Sequence, residues 1–143
     1  KDTLTTGAAQ REWSFTLIGA APHVYIFDDS ASAFIGRSAS NVVLNQWVFL
    51  VCTKGTGTTN AAAKIYADGV QTDNADNSTG VYTAQENTTA LVSLGYRVGS
   101  SASELFYDGR IAGGSLAPFF AQTELSADAT LRLYQLGRAA LGV

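Results

Sequence analysis

The chain has 143 residues, 46% of them apolar and only 15% charged, with a formal net charge of −3. That length suits one domain able to hide roughly 70% of its extended surface, and the apolar content excludes a solvated, disordered chain. Lys and Arg are scattered from Arg11 to Arg138 rather than gathered into a stripe, which excludes nucleic acid as a partner, and no apolar run nears the roughly 18 residues that span a bilayer.

Strand signals then recur in short runs divided by Gly, Asn, Asp, Ser and Thr clusters, the spacing of a sandwich or barrel rather than of βαβ units. In REWSFTLIG, Trp13, Phe15 and Leu17 alternate with Glu12, Ser14 and Thr16, a half-buried strand. HVYIF and AFIGR follow as two more strands around the turn-forming DDSAS. WVFLVCT is apolar on both faces and is expected as a central strand covered on both sides. AKIYADGVQT reads as a hairpin in which Asp68-Gly69 supplies the positive φ of a tight turn.

From Thr72 to Thr89 almost nothing is apolar except Val81 and Tyr82, so this stretch is expected as the longest loop. TALVSLGYRV and ELFYDGRIAGGSLAPFF supply two further strand regions, the second broken by glycines. Only LSADATLRLYQLG changes period: Ser126 caps a helix, Ala127, Leu131 and Tyr134 share a face, and Gly137 closes it. The absence of Met makes Lys1 no initiator, so the chain is expected to be a processed product or a segment. Cys52, alone in WVFLVCT, reads as a small buried hydrophobe rather than a nucleophile.

Four phrases in order, NQWVFLVCTKGTG, AKIYADGV, SLGYRVG and FYDGRIAGGSLAPFFAQTELSADATLRLYQLG, resemble the laminin-G-like branch of the concanavalin A-like lectin and glucanase superfamily. The resemblance runs through Trp47, Tyr66 with Asp68 and Gly69, Gly95, Gly109 to Ala112, Leu125 with Ser126, and Leu136 with Gly137. It implies an all-β, two-layer antiparallel β-sandwich (jelly roll) with one short C-terminal helix, occupying residues 1–143 as a single domain. Family members normally carry strands ahead of REW. Their shortage here predicts an exposed sheet edge to which a neighbouring chain or a second copy adds a strand.

Catalytic chemistry finds little to work with. Glucanases of this superfamily are similar in carrying Glu-x-Asp-x-x-Glu on one strand, because retaining hydrolysis needs two carboxyl groups roughly 5 Å apart. Here Glu12, Glu86, Glu104 and Glu124 all lie more than five positions from one another. His23 is the only histidine, which excludes a multi-histidine zinc site, and it is expected as a rim residue after Pro22. No Gly-x-Ser-x-Gly elbow is present.

Binding chemistry has more. Some laminin-G-like domains hold calcium through loop acids, and Asp28 and Asp29, with Asp73 or Asp76, have oxygens of the right hardness, although adjacent aspartates also make a solvated turn. Sugar binding needs an aromatic surface for C–H groups and amides or charges for hydroxyls. Tyr82, among Asn77, Gln85 and Asn87, and the pairs Tyr96 with Arg97 and Phe106 with Tyr107 beside Gly-Ser turns, supply both, or else form ordinary core and rim. Asn77 in NST and Asn87 in NTT match glycosylation acceptors.

The expected function is therefore a non-catalytic recognition or adhesion module, extracellular or on a particle surface, binding glycan or a protein surface through its loops and the concave sheet, with Tyr82, Asn87, Tyr96, Arg97 and Tyr107 as the contact residues. The alternative is a structural surface or decoration subunit of a viral particle or other assembly, as Ala/Gly/Thr-rich, Lys-poor jelly rolls often are.

Overall fold

Alternation of apolar and polar side chains builds the larger sheet. The computed structural model describes residues 2–3, 10–89, 92–97 and 105–141. β1 (Asp2–Thr3) and β2 (Gln10–Arg11) form a small antiparallel pair. β3 (Trp13–Ile18), β4 (Ala21–Asp28) and β5 (Ala33–Ala39) then run as an antiparallel meander. Along β4, Pro22, Val24 and Ile26 are buried while His23 and Tyr25 are half-buried, as a period of two requires. His23 is thus inside a strand rather than at a rim.

A smaller sheet is made of β6 (Leu50–Lys54), β7 (Ala63–Ala67) and β8 (Val70–Gln71), in the order β6-β7-β8. The expectation that WVFLVCT forms a central strand is corrected here. Its strand starts only at Leu50 and lies at the sheet's edge among the described strands, and Trp47 is 47% exposed. β7 takes the centre, paired on both sides and packed across β4 and β5. The second apolar face of the run has another use, because Phe49 meets Tyr134 of the C-terminal helix with ring centroids 6.2 Å apart.

Between the sheets lies one core, in which Val24, Ile26, Ala33, Ile35 and Ala39 meet Ala63, Ile65 and Tyr82. Each fully buried Val or Ile contributes roughly 1.5–3 kcal/mol. The β7–β8 turn is the expected Asp68-Gly69 hairpin, with φ of 51° and 79°. Gly69 is required twice over, since a Cβ there would lie 2.9 Å from Leu131 Cδ1.

The expected Thr72–Thr89 loop is corrected in its first third. Thr72 donates its N–H to Ile65 O (2.9 Å), and from the next residue β9 (Asp73–Asp76) leaves the small sheet to pair with β5. The register shifts between Ser38 and Ala39 at this corner, a bulge where one chain passes between two layers. Asp73 rivets the crossing: its Oδ1 accepts the Ile65 N–H (3.1 Å) and its Oδ2 pairs with Arg37. An edge strand whose side chains are mostly exposed needs no apolar residues, which is why DNAD does not read as a strand.

The larger sheet is then ordered β3-β4-β5-β9. β10 (Tyr96–Arg97) and β11 (Leu105–Phe106) form a short antiparallel pair. α1 (Ala127–Leu141) starts as expected, with Ser126 Oγ accepting the Ala129 N–H (3.1 Å). It does not stop at Gly137 but continues through that residue to Leu141, since a glycine inside a helix costs only about 1 kcal/mol against Ala. Leu131 and Tyr134 rest on Gly69 as one face, whereas Ala127 is exposed and the deepest helical residue is Thr130. The result is the antiparallel β-sandwich with one C-terminal helix that the sequence implied.

Candidate functional site

Residues 81–89 lie across the β4–β5 turn as a strap, and two buried carboxylates hold them there. Asp28, at the end of β4, is 3% exposed. Its Oδ2 accepts the Thr83 and Ala84 N–H groups (2.8 and 3.1 Å), and its Oδ1 accepts the Ser30 hydroxyl and the Ala31 N–H (2.9 and 3.1 Å). The Thr83 and Ala84 N–H groups, above all, hold its carboxyl below the usual carboxylate range. Glu12, 5% exposed, accepts both the Thr88 N–H and hydroxyl (2.7 and 3.1 Å). Thr89 adds a hydroxyl bond to Gln10 (2.9 Å). Backbone that lacks sheet partners can be packed down only when its N–H groups find acceptors.

Strap and turn together line an open cleft of about 340 Å³, walled by Asp28, Ser30, Ala31 and Thr83 to Glu86. Two acids 58 positions apart meet there, because Ser30 donates its hydroxyl to Asp28 and its N–H to Glu86 (2.9 and 3.0 Å). Short-range spacing of glutamates could not reveal this pair. Glycoside hydrolysis needs one carboxyl kept protonated and one free to attack, and Asp28 suits neither role. Asp28 is the opposite of the first, ionised by its donors, and every oxygen of it is already engaged.

The same bonds bear on calcium. Asp29 accepts the Arg11 N–H and Nε–H (both 2.9 Å), and Asp76 accepts the Ser78 N–H (2.9 Å). With Asp28 holding four donors and Asp73 held by Arg37 and Ile65, these acids face N–H and O–H groups rather than a shared cavity. Among the described residues no three His, Cys, Asp or Glu side chains converge as a metal would require. The calcium candidates Asp28 and Asp29 do not fit that ion.

The sugar-binding candidates are dispersed. Tyr82 is 8% exposed and belongs to the core, so it cannot serve as an open stacking surface, and Lys54 Nζ lies 5.7 Å from its ring. Burial pushes its hydroxyl up. Asn87 is exposed on the strap. Tyr96 and Arg97 form β10, whose side chains lie outside the described residues. Tyr107, exposed, follows β11 and donates its N–H to Gly95 O (2.7 Å), so Tyr107 and β10 share one neighbourhood apart from the strap's own bonds. Of the two glycosylation motifs, Asn77 spends its amide on Ser38 Oγ (2.8 Å). Cys52 packs against the core and burial pushes its thiol up to about 12, which fits an inert side chain.

A second surface escaped the sequence reading. On the face of β4 turned away from the core, His23, Tyr25 and Phe27 recur at every second residue, joined by Phe34 of β5. His23 and Tyr25 are 5.9 Å apart with planes 19° from parallel, and Phe34 stands 80° to Tyr25 at 5.5 Å. The Tyr25 hydroxyl meets His23 Nδ1 at 3.1 Å. Small residues lie opposite on β5, Gly36 against Tyr25 and Ser38 against His23. The Phe27 end is closed by Arg11, 4.6 Å above the ring and salt-bridged to Asp29. The period of two in HVYIF is the available signal, but the run reads simply as a strand, with no face assigned.

A family model described as the concanavalin A-like lectin/glucanases superfamily, from its laminin G group, matches residues 2–114. No match was found among curated proteins or among solved structures.

Proposed function

This chain belongs to the concanavalin A-like lectin/glucanases superfamily, and on that footing we propose that it is a non-catalytic recognition module, working outside the cell or on a particle surface. It binds glycan or a protein surface, with Asn87 on the strap and, apart from it, the Tyr96, Arg97 and Tyr107 neighbourhood as contact candidates. One observation carries this reading: two buried acids, Asp28 in the wall of the cleft and Glu12 beyond it, act as anchors. Asp28 takes four donors and Glu12 takes Thr88, so the strap is held in place before any ligand arrives, and a preorganised surface loses less entropy on binding. A glycan array and a protein pull-down, run beside a reducing-end release assay, test it. Saturable binding with no release of reducing ends is expected; steady release from any bound polysaccharide would contradict it.

A second reading, a structural subunit of a viral particle or another assembly, is favoured by a different observation. Val43, Leu44 and Trp47 are exposed on one uncharged loop, and the Val42 N–H to Ala20 O bond (2.9 Å) brings exposed Ile18 close to it. β3 borders β4 and no further described strand, an edge that a second copy could extend. Sedimentation velocity separates the two: ordered oligomers with no ligand binding support the assembly, and a monomer that binds supports the module.

A further inference from the structure

Beyond both readings, we infer that α1 is an interface for a second copy of this chain, formed by two α1 helices packed antiparallel. One side of the helix belongs to its own domain. Thr130 is fully buried, Leu131 and Tyr134 rest on Gly69, Tyr134 also meets Phe49, and Leu116 lies against Gly137. At about 100° of rotation per residue, these positions share one arc of the helix. Beside it runs a second apolar stripe, Ala129, Leu133, Leu136 and Ala140. Ala129 and Leu133 are half-buried there, Ala140 is exposed, and Leu136 is 71% exposed. The polar face, with Asp128, Arg132 and Gln135, lies beyond the stripe. A surface helix ordinarily turns its whole apolar arc to its own core, and here the domain covers only part of that arc.

Three features point to another α1 as the occupant. The stripe residues are spaced four, three and four apart, the seam of a two-helix coil, and that spacing reads the same from either end. About a two-fold axis between Tyr134 and Gln135, Leu133 of each copy therefore faces Leu136 of the other, and Ala129 faces Ala140. The alanines at both ends let the two axes approach to about 8 Å. Charge agrees as well. None of the four stripe residues is charged, and the antiparallel arrangement sets the acidic first turn, at Asp128, level with the basic last turn, at Arg138, of the other copy, with the helix dipoles opposed. A parallel pair would bring like ends together instead. From Ala129 to Ala140 the seam is about 16 Å long, short of what the roughly 1,200 Å² of a stable interface requires. The pair therefore forms and separates at concentrations on the order of tens of micromolar. Its two-fold symmetry closes it at two copies.

Sedimentation equilibrium between about 5 and about 500 µM brackets that range and tests the inference. The apparent mass should rise from one chain toward two. Leu136→Glu, at an exposed position, should weaken the association about tenfold or more and leave the circular dichroism spectrum unchanged. Ile18→Lys, on the β3 edge, should leave the association as it was. Orientation has its own readout. Under oxidation, Ala129→Cys mixed with Ala140→Cys should give a disulfide-linked pair of the two, and Ala140→Cys alone should not link, because Cys52 is packed against the core. A parent that stays monomeric at the highest concentration would overturn the interface, and so would association that survives Leu136→Glu. Loss confined to Ile18→Lys, or Ala140→Cys linked to itself, would overturn it too. All four outcomes leave the recognition reading standing.

Discussion

Segments 40–49 and 81–89 both lie outside regular secondary structure, yet they meet solvent in opposite ways. The apolar one, SNVVLNQWVF, turns Leu44 outward at 66% exposure along with Val43 and Trp47. The polar one, VYTAQENTT, sends Tyr82 into the core and is tied by Asp28, Glu12 and Gln10, leaving Val81 as its exposed large apolar residue. What separates them is where along the segment the backbone N–H groups are taken up: Val42 and Phe49 donate near the ends of the apolar one, to Ala20 O and Asp68 Oδ1 (2.9 and 3.0 Å), whereas Thr83, Ala84 and Thr88 donate from within the polar one. A segment without strand partners is packed down only if something accepts its hydrogen bonds, and here the acceptors are carboxylates delivered from β4 and the bend after β2. Apolar content by itself does not decide which loop is inside.

The largest test of that contrast is Tyr82→Ala, which removes the strap's one core side chain and should cost about 3–5 kcal/mol in urea denaturation. Next is Glu12→Ala, which takes the carboxylate acceptor away from the half-buried Thr88 donors and should cost about 1.5–3 kcal/mol. Asp28 adds a pH dependence. Its folded pKa is depressed, so its contribution is fully present above the ordinary Asp value of about 3.9 and is lost as pH falls through the lower folded value. Melting temperature followed downward from pH 5 should therefore fall more steeply in the parent than in Asp28→Asn. Ser126→Ala, a cap remote from both loops, should cost about 1 kcal/mol by the same denaturation curve. The smallest change is expected at the apolar loop, where Leu44→Ser with Trp47→Ser should move stability by no more than about 0.5 kcal/mol. A loss of several kcal/mol there would mean that the loop packs inward.

Much of the fold was legible because it follows from strictly local rules. The β3–β4–β5 meander came from alternation, the Asp68-Gly69 hairpin from the positive φ that its turn demands, and the helix start from Ser126. The failures are long-range. Nothing local says that DNAD pairs with β5, since an edge strand can be polar throughout. The exposure of Trp47 and the burial of Tyr82 exchange what hydropathy suggests, because the strap's anchors lie 55 to 76 positions away from it. The site was harder still. Asp28 and Asp29 are visible as an acidic turn, but that one anchors the strap and the other pairs with Arg11 depends on contacts that the spacing of residues does not encode. The His23–Tyr25–Phe34 face was present in the alternation of HVYIF, but five mostly apolar residues in a row read as a strand without saying which of them face outward.

Amide hydrogen exchange resolved to single residues tests the central claim most directly, since the cleft's acids can be anchors only if the strap is bound down. The Thr83, Ala84 and Thr88 amides should be protected well above those of residues 43–47, and Asp28→Asn should release Thr83 and Ala84 while Thr88 stays protected. Exchange of all three strap amides as fast as in the apolar loop would free Asp28 and Glu86 for other work and contradict the account.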